Sequence, residues 1–151
     1  MQVNIENEIK IIHMGEKGPN LLSVERANEI ISELSKNDCK AVIILGNEKV
    51  FSAGLNLKDL QKAKEESEVS LIFTTLRELL VASRKFPGPV ISIVSGHAIA
   101  GGCLLALASD YRYGVHGMHR MGLNEMAIGI DLPPDMLSII SHNISKNYLF
   151  E

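Results

Sequence analysis

Cysteine is scarce. Cys39 and Cys103 are the only two in 151 residues. They lie far apart and form no CxxC pair, so neither a thiolate metal site nor a disulfide framework is indicated. A reducing compartment is the expectation. Long apolar runs are missing too, and nothing approaches the roughly 20 residues of a membrane helix. The opening MQVNIENEIK has neither the apolar stretch of a secretory signal nor the Arg/Ser-rich character of a transit sequence. The closing YLFE is no peroxisomal address, and a cytoplasmic location is expected. Positive charge is not in excess. Fifteen Lys and Arg stand against 18 Asp and Glu, a net charge of −3, which offers no general attraction to nucleic acid or to an anionic membrane. Neither GxGxxG nor GxxxxGK[ST] occurs, so nucleotide binding is not supported. His116 and His119 form an HxxH without an acidic third ligand, which is weak metal chemistry.

What remains is an ordinary globular composition, 46% hydrophobic and 22% charged, in one domain spanning 1–151 with length enough for a core. Residues 3–14 alternate and then run apolar, which predicts a strand or a hairpin. From Ser23 a capped helix is expected, with Val24, Ala27, Ile30, Ile31 and Leu34 at helical spacing. Residues 41–45 and 90–94 read as buried strands. Between them, 59–68 has the charged composition of an exposed segment. A long helix follows with Val69, Ile72, Phe73, Leu76, Leu79 and Leu80 on one face, ending before Pro87. Residues 101–109 read as another helix and 110–115 as another strand. Strands alternating with helices argue an α/β fold, its sheet covered by crossover helices.

Two strand-to-helix corners are built from small residues. FSAGLNL (51–57) follows the strand AVIIL, and GHAIAGGCLLAL (96–107) follows VISIV. Either corner alone reads first as a tight turn. Together they have a chemical use. Helix starts carry unpaired N–H groups and a partial positive charge, and glycine admits a ligand oxygen close to the backbone. Two such corners facing one point would hold a developing oxyanion.

FSAGLNL, GHAIAGGCLLALASDYRYG and GLNEMAIGIDLP, in that order and spacing, resemble the crotonase superfamily, the enoyl-CoA hydratase/isomerase family. The resemblance runs from the N-terminal strand to about Pro134. It implies a spiral of ββα turns building two sheets, an acyl-CoA thioester as substrate with no further cofactor, and an oligomer based on trimers or a partner chain. Carried over by position, it makes the Ala53 and Gly101 N–H groups the oxyanion hole and places Ser52, Gly54, Leu55, Leu57, Lys58, His97 and Leu104 about the substrate. Asn56 stands where the family usually has aspartate, and it can still cap a helix.

The acid–base positions point to the reaction. Hydratases of the family place one glutamate three residues after the oxyanion glycine and another in the segment matching GLNE. Here the first position is Leu104 and the second is Glu125. One carboxylate suffices to take a proton from an unsaturated thioester and return it two carbons along, and GLNE resembles the enoyl-CoA isomerases particularly. Apolar neighbours Met121, Leu123 and Met126 would raise the Glu125 pKa toward neutrality. Hydratase or thioesterase chemistry on Glu125 alone, or a non-catalytic acyl-CoA-binding or oligomerisation role, are the other readings. Family members are longer, and the region that closes the acyl pocket and builds the trimer contacts would be starting at SIISHNISKNYLFE. The expectation is therefore a truncated member, a fragment or half of a two-chain assembly.

Overall fold

The computed structural model describes residues 1–124 and 132–145. The chain opens with a hairpin, β1 (Gln2–Glu6) and β2 (Ile9–His13), paired antiparallel. Its two-residue turn holds Asn7 at φ 49° and Glu8 at φ 65°, as a turn matching the right-handed strand twist requires. Helix α1 (Val24–Leu34) follows, with the Ser23 side chain accepting the Arg26 N–H at 3.2 Å.

Three ββα turns then repeat. The first is β3 (Ala41–Leu45), β4 (Val50–Ser52), the short helix α2 (Leu57–Lys62) and the long helix α3 (Glu66–Lys85). The second is β5 (Val90–Val94), β6 (His97–Ile99) and α4 (Gly101–Ala108). The third is β7 (Tyr111–Gly114), β8 (Met121–Gly122) and α5 (Pro134–Asn143). Each turn adds one parallel strand to each of two sheets, giving the orders β1-β2-β3-β5-β7 and β4-β6-β8. This is the ββα spiral that the resemblance implies.

Local sequence explains most boundaries. Phe86 closes α3 because the residue before Pro87 is barred from the helical region. The α3 start is fixed by a capping box between Glu65 and Glu68. The segment 59–68 is largely exposed, as expected, and it also contains most of α2, capped by Asn56, whose side chain accepts the Lys58 N–H. In α4 all eight residues, GGCLLALA, are buried, which is why no amphipathic periodicity marks it.

One strand carries its charge inward. Lys10 is fully buried, and its ammonium donates to the Glu33 carbonyl at 2.7 Å and pairs with Asp38 at 2.7 Å and the Glu33 carboxylate at 3.2 Å. Burial alone would pull the Lys10 pKa down, but the hydrogen bonds to Asp38 and Glu33 outweigh it and hold it above its ordinary value. The bond to Lys36, then that to Lys10, holds Glu33 below the usual carboxylate value against partial burial. Lys10 does the same for Asp38. The cluster ties β2 to the end of α1.

Candidate active site

The first corner follows β4. Ser52 is fully buried; its hydroxyl donates to the Asn20 carbonyl at 2.8 Å and accepts the Gly54 N–H at 3.1 Å. The Ala53 N–H donates to the Pro19 carbonyl at 2.9 Å. Gly54, at φ +82°, turns the chain in a region that favours glycine, and its carbonyl accepts the Leu22 N–H at 2.8 Å. The next N–H, that of Leu55, has no acceptor among the described residues.

The second corner follows β6. Ala100 sits at φ 53°, ψ −127°, a strained conformation for a residue with a side chain. Its N–H donates to the Gly122 carbonyl at 2.9 Å, and its carbonyl accepts the Leu104 N–H at 3.0 Å. Gly101 opens α4, so its N–H is one of the unpaired first-turn donors, at the positive end of the helix dipole.

The corners touch through their glycines. A Cβ on Gly54 would lie 2.8 Å from the Gly101 nitrogen, and one on Gly102 would lie 2.3 Å from the Ser52 carbonyl oxygen. Only backbone without side chains packs this closely. Beside this junction lies a cavity of about 60 Å³. Ala53, Leu55, Ala100 and Gly101 form the corner side of it, and Leu57 and Leu60 of α2 continue the wall. Phe73 and Leu76 of α3 add an apolar side, with Asn124, Leu132 and Met136 from the third turn completing the lining.

The anticipated site residues divide accordingly. Ala53, Leu55, Leu57 and Gly101 line the cavity. Gly54 and Ser52 stand behind it, one making the turn and the other bracing it. Leu104 is fully buried inside α4 and is not part of the lining. The imidazole Nδ1 of His97 accepts the Arg120 N–H at 3.1 Å, its ring lies edge-on to His119, and it too stands away from the cavity. Lys58 is exposed on α2. Glu125 lies outside the described residues, although its neighbour Asn124 reaches the cavity. The expectation for the Ala53 N–H is corrected: it is already given to Pro19, and the N–H left open in this corner is that of Leu55. Asn124, Leu132 and Met136 were not anticipated. They enter from the third turn, where no local pattern ties them to the first two corners.

Among the described residues no group of three His, Cys, Asp or Glu is placed to hold a metal ion, and no helix is long and apolar enough to cross a membrane.

Residues 4–146 match the family model for enoyl-CoA hydratase/isomerase. The chain is 34% identical to the mitochondrial enoyl-CoA delta isomerase 1 of Rattus norvegicus, over 97% of this chain and 55% of that protein. It is 31% identical to the mitochondrial methylglutaconyl-CoA hydratase of Mus musculus, over 85% of this chain and 46% of the relative. The chain thus spans about half the length of these curated relatives. Among solved structures, a probable enoyl-CoA hydratase from Mycobacterium tuberculosis superposes with a TM-score of 0.86 at 28% identity, covering 97% of this chain and 62% of that one.

Proposed function

The chain belongs to the enoyl-CoA hydratase/isomerase family, and from that premise we propose that it moves a double bond in an acyl-CoA thioester from the β,γ to the α,β position. The thioester carbonyl accepts hydrogen bonds from the Leu55 and Gly101 N–H groups. The Glu125 carboxylate removes a proton from the α-carbon, and the electron pair moves onto the carbonyl oxygen as an enolate. Two fixed N–H donors in a water-poor site stabilise that charge without reorganising. The same proton returns from Glu125 to the γ-carbon, the double bond settles between α and β, and the carbonyl re-forms. Nothing is gained or lost.

The observation that carries this reading is the glycine-to-glycine junction. It sets an N–H with no acceptor among the described residues on each side of one apolar cavity. That lining suits a hydrocarbon chain, and Lys58, next to the cavity-lining Leu57, supplies an exposed cation for coenzyme A phosphates. Isomerisation is favoured over hydration because Leu104 leaves no carboxylate where a hydratase carries its second one, and hydration is helped by two carboxylates orienting water. The test is to incubate the protein with a 3-enoyl-CoA and separate the products. The reading requires 2-enoyl-CoA to appear without 3-hydroxyacyl-CoA. Hydroxyacyl product formed from 2-enoyl-CoA at a comparable rate would make it a hydratase, and bound but unchanged substrate would make it a non-catalytic acyl-CoA binder.

A further inference from the structure

The third turn is held to the second by a short stretch of backbone. Strand β8 is two residues long, and among the described residues its sheet neighbour is β6 alone. The Ala98 N–H donates to the Arg120 carbonyl and the Ala100 N–H to the Gly122 carbonyl, both at 2.9 Å. A side chain continues the same row. Nδ1 of His97, at the start of β6, accepts the Arg120 N–H at 3.1 Å. Arg120 is thus gripped on both sides, its N–H by an imidazole and its carbonyl by β6. The His97 N–H donates in turn to the Lys49 carbonyl at 2.9 Å, and Val50 of β4 stands beside it in the sheet. The imidazole is therefore carried by the middle strand, while the residues it anchors, 115–120, are exposed throughout.

We propose that His97 is a positioning residue for the isomerisation, acting through β8 on the oxyanion corner. The inference rests on the isomerase reading of the site and adds a residue to it. Two features depend on where β8 lies. The first is the conformation of Ala100. A residue with a side chain at φ 53° and ψ −127° persists only where its surroundings hold it there, and the Gly122 carbonyl of β8 holds its N–H. Gly101 comes next, so a relaxed Ala100 would turn the Gly101 N–H away from the thioester. The second is the chain that leaves β8. Asn124, two residues on, lines the cavity, and Glu125 follows it. A two-residue strand entered from an exposed loop frays easily, and the imidazole ties it at the end where fraying begins. His97 stands away from the cavity and touches no substrate. Its loss should therefore slow the reaction and leave binding in place.

Three substitutions test the acceptor itself. The amide oxygen of Asn is bonded to Cγ as Nδ1 is, so His97→Asn keeps an acceptor for the Arg120 N–H. Gln carries its oxygen one bond farther out, and Leu has none. Steady-state rates on a 3-enoyl-CoA, affinity for a saturated acyl-CoA and amide hydrogen exchange are measured on each variant, with thermal melts to establish folding. His97→Leu and His97→Gln should lower kcat by about tenfold or more, the order expected when a reacting group is slightly misplaced. KM and saturated acyl-CoA affinity should change little. In the same proteins the Ala100 amide should exchange about fivefold faster, the equivalent of one lost hydrogen bond. His97→Asn should restore both rate and protection. If His97→Leu does not fold, the Asn and Gln variants carry the comparison. Full kcat in folded His97→Gln or His97→Leu overturns the proposal. So does a His97→Asn protein as slow as His97→Gln, or a loss confined to KM. Those results leave the isomerase reading standing. A wild type that binds acyl-CoA without moving the double bond fails that reading instead, and the positioning role falls with it.

Discussion

Gly54 makes the junction by having no side chain. An added methyl group would stand 2.8 Å from the Gly101 nitrogen and 2.9 Å from the Ala100 methyl, and φ +82° would strain any other residue by about 1 kcal/mol. Gly54→Ala should therefore lose isomerase turnover while remaining folded, which thermal melts and initial rates read separately. Glu125→Gln keeps the shape of the side chain but not its basicity. It should retain acyl-CoA binding and lose conversion of 3-enoyl- to 2-enoyl-CoA by about 10²-fold or more, the size expected for removing a positioned general base. Unchanged turnover in the folded variant would end the role given to Glu125. At this scale the glycine corners were legible in the sequence, because small residues at two successive strand ends have few other uses. Which N–H stays open was not legible. The acceptor that takes up the Ala53 N–H is Pro19, in a distant loop that only the folded chain brings alongside.

Long elements announced themselves and short ones did not. Helix α3 shows its period over 20 residues, and β3 and β5 are apolar runs bounded by turns. Strands β4, β6 and β8 hold only two or three residues each, too few for alternation to register, and the family resemblance alone implied their sheet. Strand β2 misleads in another way. IKIIH suggests that Lys10 faces water, yet Lys10 and Ile12 are the buried pair, because Glu33 and Asp38 wait for the ammonium at the end of α1. Lys10→Met should cost about 1–3 kcal/mol, the cost of leaving buried acceptors unpaired, moderated because Asp38 keeps contact with solvent. The cluster also predicts acid behaviour. Glu33 and Asp38 are held below their ordinary values of 4.5 and 3.8, so their contribution is present above those values and is lost as pH falls through the lowered ones. Lys10 is held above 10.5, so its contribution is complete below that pH and fades only as pH rises beyond it. Melting temperature should be flat through neutrality on this account and fall below about pH 4, and less steeply in Lys10→Met. Helix α4 gives a third test. Leu104 is fully buried there, so Leu104→Glu should cost at least about 2 kcal/mol by burying a charge, and in protein that still folds it should raise hydration of 2-enoyl-CoA from near zero. A melt and a hydration assay on the same preparation check both halves.

Over the whole molecule, the spiral brings one function out of separate turns. The first turn supplies the Gly54 corner, the second begins α4 at Gly101, and the third returns Asn124, Leu132 and Met136 to close the same cavity. No window of sequence contains that convergence, which is why the two glycine motifs were readable and the cavity wall contributed by the helices and the third turn was not. The central claim is that the turns jointly polarise a thioester through the N–H groups of Leu55 and Gly101. The infrared stretch of the bound carbonyl reports this directly and needs no turnover. With enoyl-CoA labelled with carbon-13 at the thioester carbon, the account predicts a shift to lower frequency on binding, diminished in Gly54→Ala protein loaded to the same occupancy. A bound thioester whose carbonyl absorbs where it does in water, in wild type and variant alike, would contradict it.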